Sequence, residues 1–194
     1  PWTRLRCCCS SRRCTWRGVS TPAGVSSVSD TRERIAAHVR EHPGVHFSAL
    51  ARRLELASGQ VQYHLRRLDL VAESVAGRTH YFPPEYDAWE RRALALLRRE
   101  TAGDVVAHLL VAGESRPAAV ADALDIARST LEWHLDHLLD ADLVEKRRDA
   151  DGRVTLRPAR PEATADLLGE ADPALARRLV DRFARLLDDL LAGD

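Results

Sequence analysis

Residues 48–68 read SALARRLELASGQVQYHLRRL, and seventy positions on residues 118–138 read AAVADALDIARSTLEWHLDHL. Overlaid without a gap, the two share Ala49/Ala119, Ala51/Ala121, Leu54/Leu124, Ala57/Ala127, His64/His134, Leu65/Leu135 and Leu68/Leu138. The alignment extends upstream through Thr31/Thr101, Ala37/Ala107 and His38/His108, so 31–68 holds ten identities in 38 pairs. An internal duplication of this kind requires two similar folded units. It constrains the chain more than any other feature.

Within each copy the apolar spacing is helical. Leu50 and Leu54 form a short stripe, and Val61, Leu65 and Leu68 a longer one, with Leu56 as an apolar plug between them. Two short helices across a tight turn, the second amphipathic, make a helix-turn-helix pattern. The first helix braces the second, whose outer face fits a DNA major groove about 12 Å wide.

The flanking segments complete the units. Asp30–Glu33 has capping-box spacing and predicts a helix start, with Ile35, Ala36 and Val39 buried and Pro43-Gly44 as the stop. Val45–Phe47 reads as a short strand. Leu70–Val75 and Arg78–Phe82 flank Ala76-Gly77, a hairpin signal. The second copy repeats the order: a helix over Asp104–Ala112, Ser115 and Pro117 opening the next, then Leu143–Arg148 and Arg153–Arg157 around a turn ending in Gly152. It has three more residues between recognition helix and wing. A linker helix is expected over Glu85–Arg99, with Tyr86, Trp89, Ala93, Leu96 and Leu97 on its packed side. Residues 161–172 read as a loose or short helical segment. Pro173–Leu191 reads as an amphipathic helix whose Leu179, Phe183, Leu186 and Leu190 suit a dimer seam.

The expected fold is mainly α with small β-hairpin wings. Residues 29–84 form one winged helix-turn-helix domain, 85–100 a linker helix and 101–160 a second such domain. Residues 161–194 carry a C-terminal helix that either pairs in a homodimer or packs back on its own domain. Residues 1–28 read as a disordered basic leader with Arg4, Arg6, Arg12, Arg13 and Arg17 and no acid, an over-extended start or a processed tail. All the cysteines lie there, at Cys7, Cys8, Cys9 and Cys14, without the separated pairs a zinc site wants. No run suits a signal peptide or a membrane span, so a cytoplasmic, soluble protein is expected.

At Ser58-Gly-Gln-Val-Gln-Tyr-His-Leu-Arg-Arg-Leu68 the sequence resembles the recognition helix of archaeal winged helix-turn-helix transcriptional regulators of the broad ArsR/MarR-like superfamily. Residues 29–192 resemble their tandem members, particularly haloarchaeal ones. The resemblance implies sequence-specific binding to double-stranded DNA, transcriptional control and often dimers. It departs at Glu55 and Asp125, where the family's turn often has Gly, and at Ala57 and Ala127, where a Ser or Thr cap is usual. The thiolate metal sites of some such sensors have no counterpart outside the leader.

Charge separates the copies. Residues 29–194 carry net −5, an unusual footprint for a DNA binder. Yet 48–68 carry net +3 and 118–138 net −3. The first copy is therefore expected to read bases, with Ser58, Gly59, Gln60, Gln62 and Tyr63 on the exposed face and Arg66 and Arg67 set for phosphates. Arg78 in the first wing, Arg128, Ser129 and Thr130 in the second copy, and Arg147, Arg148 and Arg153 in its wing are further candidates. Residues 145–160 carry net +3. His64 and His134 suit packing or a phosphate contact. His38 with His42, or His134 with His137, offers two ligands, too few to define a metal site. No nucleophile–base pair or phosphate-binding glycine loop is legible, so neither catalysis nor a cofactor is expected. The alternatives are a protein-docking module, or a sensor gated by metal or ligand through the histidines or the groove between the units.

Overall fold

The structure, a computed structural model, describes residues 28–148 and 151–177. The seventy-residue offset survives in the backbone. Helix α1 spans Val28–Glu41, strand β1 Val45–His46, α2 Phe47–Leu54 and α3 Ser58–Leu65; β2 (Val71–Val75) and β3 (Arg78–Phe82) follow as the wing. Helix α4 covers Ala88–Leu97. Then come α5 (Glu100–Ala112), α6 (Pro117–Leu124), α7 (Arg128–Asp140), β4 (Val144–Arg148), β5 (Val154–Pro158) and α8 (Pro161–Ala171). Helices α2 and α6, and the starts of α3 and α7, are seventy residues apart. The fold is a tandem pair of winged helix-turn-helix units, mostly helical with small antiparallel hairpins.

In the first unit β3 lies between β1 and β2, with Val45 opposite Tyr81 and Val71 opposite Phe82. In the second, β1 is reduced to a single bridge in which Ser115 and Leu156 exchange both backbone hydrogen bonds. Ser115 is therefore a strand residue, not the cap of α6. Arg116 occupies the cap position, and Pro117 takes the first turn as expected. Asp30 is not a cap either. It lies in the first turn of α1, where a carboxylate complements the helix dipole. Helix α5 starts at Glu100, four residues before the expected Asp104. Gly103 belongs there because a Cβ would lie 2.8 Å from the Leu97 carbonyl oxygen, so α4 and α5 approach too closely for a side chain. Helix α3 stops at Leu65, short of Leu68, whereas α7 continues to Asp140 and absorbs the three extra residues of the second copy.

A smaller core joins Ile35, Val39, Val45, Ala49, Leu50, Val61 and Leu65. A larger one gathers α4, α5, the second helix-turn-helix and α8 around residues such as Leu94, Leu109, Leu131, Leu135 and Leu156. Helix α4 was expected as a linker with one packed stripe. Ala93, Leu94, Ala95, Leu96 and Leu97 are instead all buried, because β2, α5 and α8 surround it. A helical stretch apolar on every side, as this second half of α4 is, belongs inside a core. Of the two alternatives for 161–172, a loose or a short helical segment, the structure has the helix, over Pro161–Ala171. Residues 173–177 are helical, and Asp172 caps them by accepting from the Ala174 and Leu175 amides. The leader and the stripe Leu179, Phe183, Leu186 and Leu190 lie outside the described residues. Among the described residues no helix is long and apolar enough to cross a membrane.

Both helix-turn-helix turns pass through a left-handed residue, Glu55 at φ 55° and Asp125 at φ 53°. A side chain there costs about 1–2 kcal/mol, less for Asp than for Glu. Glu55→Gly is expected to stabilise the protein by about 0.5–1 kcal/mol after the entropy glycine gains on unfolding. Asp125→Gly should yield less. Urea denaturation checks this, and an unchanged or lowered midpoint for Glu55→Gly would contradict it.

Candidate nucleic-acid interface

Helix α3 divides cleanly into two faces. Val61, His64 and Leu65 are buried against α1 and α2. Ser58, Gly59, Gln60, Gln62, Tyr63, Arg66 and Arg67 are exposed. Burial of His64 at 5% exposure settles it as a packing residue and removes it from phosphate contact. Its ring meets Tyr63 edge-on, 5.2 Å between centroids.

Individual side chains on the exposed face differ in what they leave available. Ala57 begins α3 without a side-chain cap, and the Gln60 Oε1 accepts from the Ala57 amide at 3.3 Å. The carbonyl end of Gln60 is thus committed to the helix start. Ser58 is the first helical residue and not the cap. Arg67 lies over the Tyr63 ring, its guanidinium carbon 3.7 Å from the centroid, while its Nη1 donates to the Tyr63 carbonyl at 3.0 Å. This stack, worth about 0.5–1 kcal/mol at an exposed site, holds a flat cationic surface beside the helix. Arg66 extends from the helix end with no ion-pair partner among the described residues. Gln62 and Arg78 line one groove with Phe47, Ser48 and Tyr81, so the recognition helix, the start of α2 and the wing open onto a common space.

The start of α2 holds a cap that the sequence reading missed. His46 Nδ1 accepts from the Ala49 amide at 3.2 Å and lies 3.0 Å from the Ser48 hydroxyl. Burial, followed by Arg78, Arg52 and further cations, lowers the His46 pKa. That favours the neutral ring which a cap acceptor requires. His80 is buried and donates from Nδ1 to the Gly44 carbonyl at 2.7 Å. Burial lowers its pKa against the opposing effect of that bond.

The second unit presents a different face. Arg128, Ser129 and Thr130 are exposed on the first turn of α7. Beyond them Glu132 pairs with Lys146 of its own wing at 3.5 Å, and Asp136 is exposed. Trp133 is 47% exposed, close to the 48% of Tyr63 at the equivalent position. These are the large apolar side chains exposed among the described residues. The Trp133 ring lies 5.5 Å from the Arg99 guanidinium, and His134 and His137 meet it edge-on. This face of α7 is therefore drawn toward the junction of the units.

The wings are also unequal. In the second, Lys146 pairs with Glu132, Arg157 with Glu145, and Arg153 with Asp151 at 3.2 Å, while Arg160 lies over Trp89. The sequence's net +3 thus resolves to Arg147 and Arg148 as exposed cations with no ion-pair partner among the described residues. In the first wing Val71, Val75 and Ala76 pack on the larger core, Arg99 donates to the Ala76 carbonyl at 2.7 Å, and Glu73 takes Arg91 and Arg92. Arg78 is exposed beside the tip.

His38, Glu41 and His42 each bring one ligand atom within 4.8 Å of the others. Glu41 adds a third group to the His38–His42 pair expected from the sequence. Burial first, then neighbouring cations including Arg53 and Arg98, lowers the pKa of both rings. The same guanidinium charges oppose a divalent cation there.

A family model described as an N-terminal HTH domain matches residues 29–94. A second, described as a helix-turn-helix domain, matches residues 97–147. No curated protein matches the chain. The matches run in tandem over the two units, so the chain carries two consecutive helix-turn-helix domains of the DNA-binding kind.

Proposed function

We propose that the protein is a sequence-specific transcriptional regulator in which the first unit reads bases and the second does not. The observation that carries this is the contrast between the recognition helices. Helix α3 offers Gln62 beside Arg66 and the Arg67–Tyr63 stack. Helix α7 offers Glu132, already paired to Lys146, and Asp136. Phosphates flanking the groove attract the first and repel the second. Gln suits adenine N6 and N7 in the major groove. Assignment to the ArsR/MarR-like superfamily, and a haloarchaeal affinity, rest on the sequence resemblance. A homodimer rests on the stripe Leu179, Phe183, Leu186 and Leu190. Selection from randomised duplexes tests the central reading: one enriched motif is expected, and uniform recovery of all sequences would contradict it.

Arg147 and Arg148 fit the role of phosphate contacts. Replacing both with Gln should weaken every duplex alike and lower the salt-dependence slope by about two. Fluorescence anisotropy over a salt series measures this. An unchanged slope would make them solvated wing residues without a DNA role.

A further inference from the structure

A cleft of about 460 Å³ lies between the two units. From the first unit it takes Arg52, Arg53 and Arg78, and from the junction Arg98 and Arg99, with Glu100 as the one carboxylate in its lining. Four histidines complete its polar walls. Outside the leader the chain is net acidic, so composition does not account for five arginines on one cavity. Among the described residues none of the five has a carboxylate within ion-pair distance.

Two of them are held by backbone carbonyls, which leave their charge intact. Arg98 donates from Nε to the Pro43 carbonyl at 2.6 Å and from Nη1 to the Ala171 carbonyl at 3.3 Å. Arg99 donates from Nη2 to the Ala76 carbonyl. Arg98 Nη2, Arg99 Nε and His80 Nε2 are buried without a hydrogen-bond partner. Helix α5 begins here: Arg99 is its cap residue with no side-chain cap bond, and Glu100 and Thr101 of its first turn line the cleft. A helix N-terminus adds free amides and positive potential to the guanidiniums. Burial lowers the pKa of Arg98 against the opposing charges of Glu170 and Asp172, and burial with Arg78 lowers that of Arg99.

We infer that this cleft is a binding site for a small polyanion bearing phosphoryl groups, seated between the units and touching both. Guanidinium forks match phosphate geometry, and the volume lies in the range of small-molecule sites. A single carboxylate would leave most of the charge unmet. Because the ligand would contact α2 and the first wing on one side and α5 and α7 on the other, it would bias how the units are held. Any differential affinity would couple to DNA binding. The site goes beyond base reading by α3 and is measured without DNA, so the two ideas stand or fall separately.

Isothermal titration of the full chain with tripolyphosphate provides the test. One site per chain is expected. Arg52→Gln with Arg53→Gln, both exposed and without ion-pair partners, should weaken it by at least about tenfold. Arg40→Gln with Arg116→Gln, away from the cleft, should leave it within about twofold. Thermal melts without ligand confirm that the variants fold. A second variant, Arg78→Gln, should weaken binding in the same direction. No binding at millimolar tripolyphosphate, or equal binding by the cleft variants, would overturn the proposal. So would strict competition with a non-specific duplex, if the same substitutions weakened the duplex equally. The arginines would then serve the DNA backbone.

Discussion

Phe82→Ala is expected to destabilise the protein by about 3–5 kcal/mol, the usual cost of emptying a buried aromatic site. Phe82 is fully buried at the end of β3. Successive strand residues point to opposite faces. Tyr81 accordingly packs on the smaller core while Phe82 enters the larger one. Strand β3 is thus a wall shared by both cores, and Phe82 is its anchor on the second side. The ring also closes over the α1–β1 turn: a Cβ on Gly44 would lie 3.0 Å from Phe82 Cε1. Urea denaturation should show a lower midpoint and one cooperative transition separating into two. A loss under about 1 kcal/mol would mean that the site collapses or that the units are joined by something else.

The second large effect concerns recognition. Gln62→Ala should cost about 1–3 kcal/mol on the selected duplex and relax preference at one base pair. Gln62 is exposed at the centre of α3, above a buried face formed by Val61 and Leu65. Unlike Gln60, it has no part in capping the helix. Arg66→Ala should instead weaken all duplexes similarly, because phosphate contacts carry no base information. Competition binding against single-base variants of the motif separates these outcomes. A uniform loss for Gln62→Ala would make it a positioning residue only.

Much of this was legible in the sequence, for a physical reason. The apolar stripe Val61 and Leu65, continued by Leu68 in the turn after the helix, marks the inner side of α3 and so marks the outer side by exclusion. The ungapped offset carries the helix-turn-helix of one copy onto the other, and Ala76-Gly77 and Gly152 mark the hairpins. What escaped depends on contacts between distant residues. The burial of Ala93–Leu97 on every side of α4 comes from β2, α5 and α8 closing round its second half, and one stripe of apolar residues does not foretell that. Gly103 lies just outside the helix expected from Asp104, and its place inside α5 follows from the Leu97 carbonyl beside it. Wing charges look available as a run, yet Lys146, Arg153 and Arg157 each find a carboxylate. The histidine cap at His46 and the arginine cleft leave no periodic trace, since Arg98 reaches Pro43 and Arg99 reaches Ala76 across the junction.

The division of work between the recognition helices is tested most directly by base-resolved footprinting of one selected duplex with wild type, Gln62→Ala and Glu132→Ala. Gln62→Ala should lose discrimination at a base pair within the protected segment. Glu132→Ala should keep the wild-type base preferences, with affinity unchanged or raised, because removing a carboxylate from α7 lessens repulsion by the phosphates. Loss of base discrimination on Glu132→Ala, with none on Gln62→Ala, would contradict the account and assign reading to the second unit.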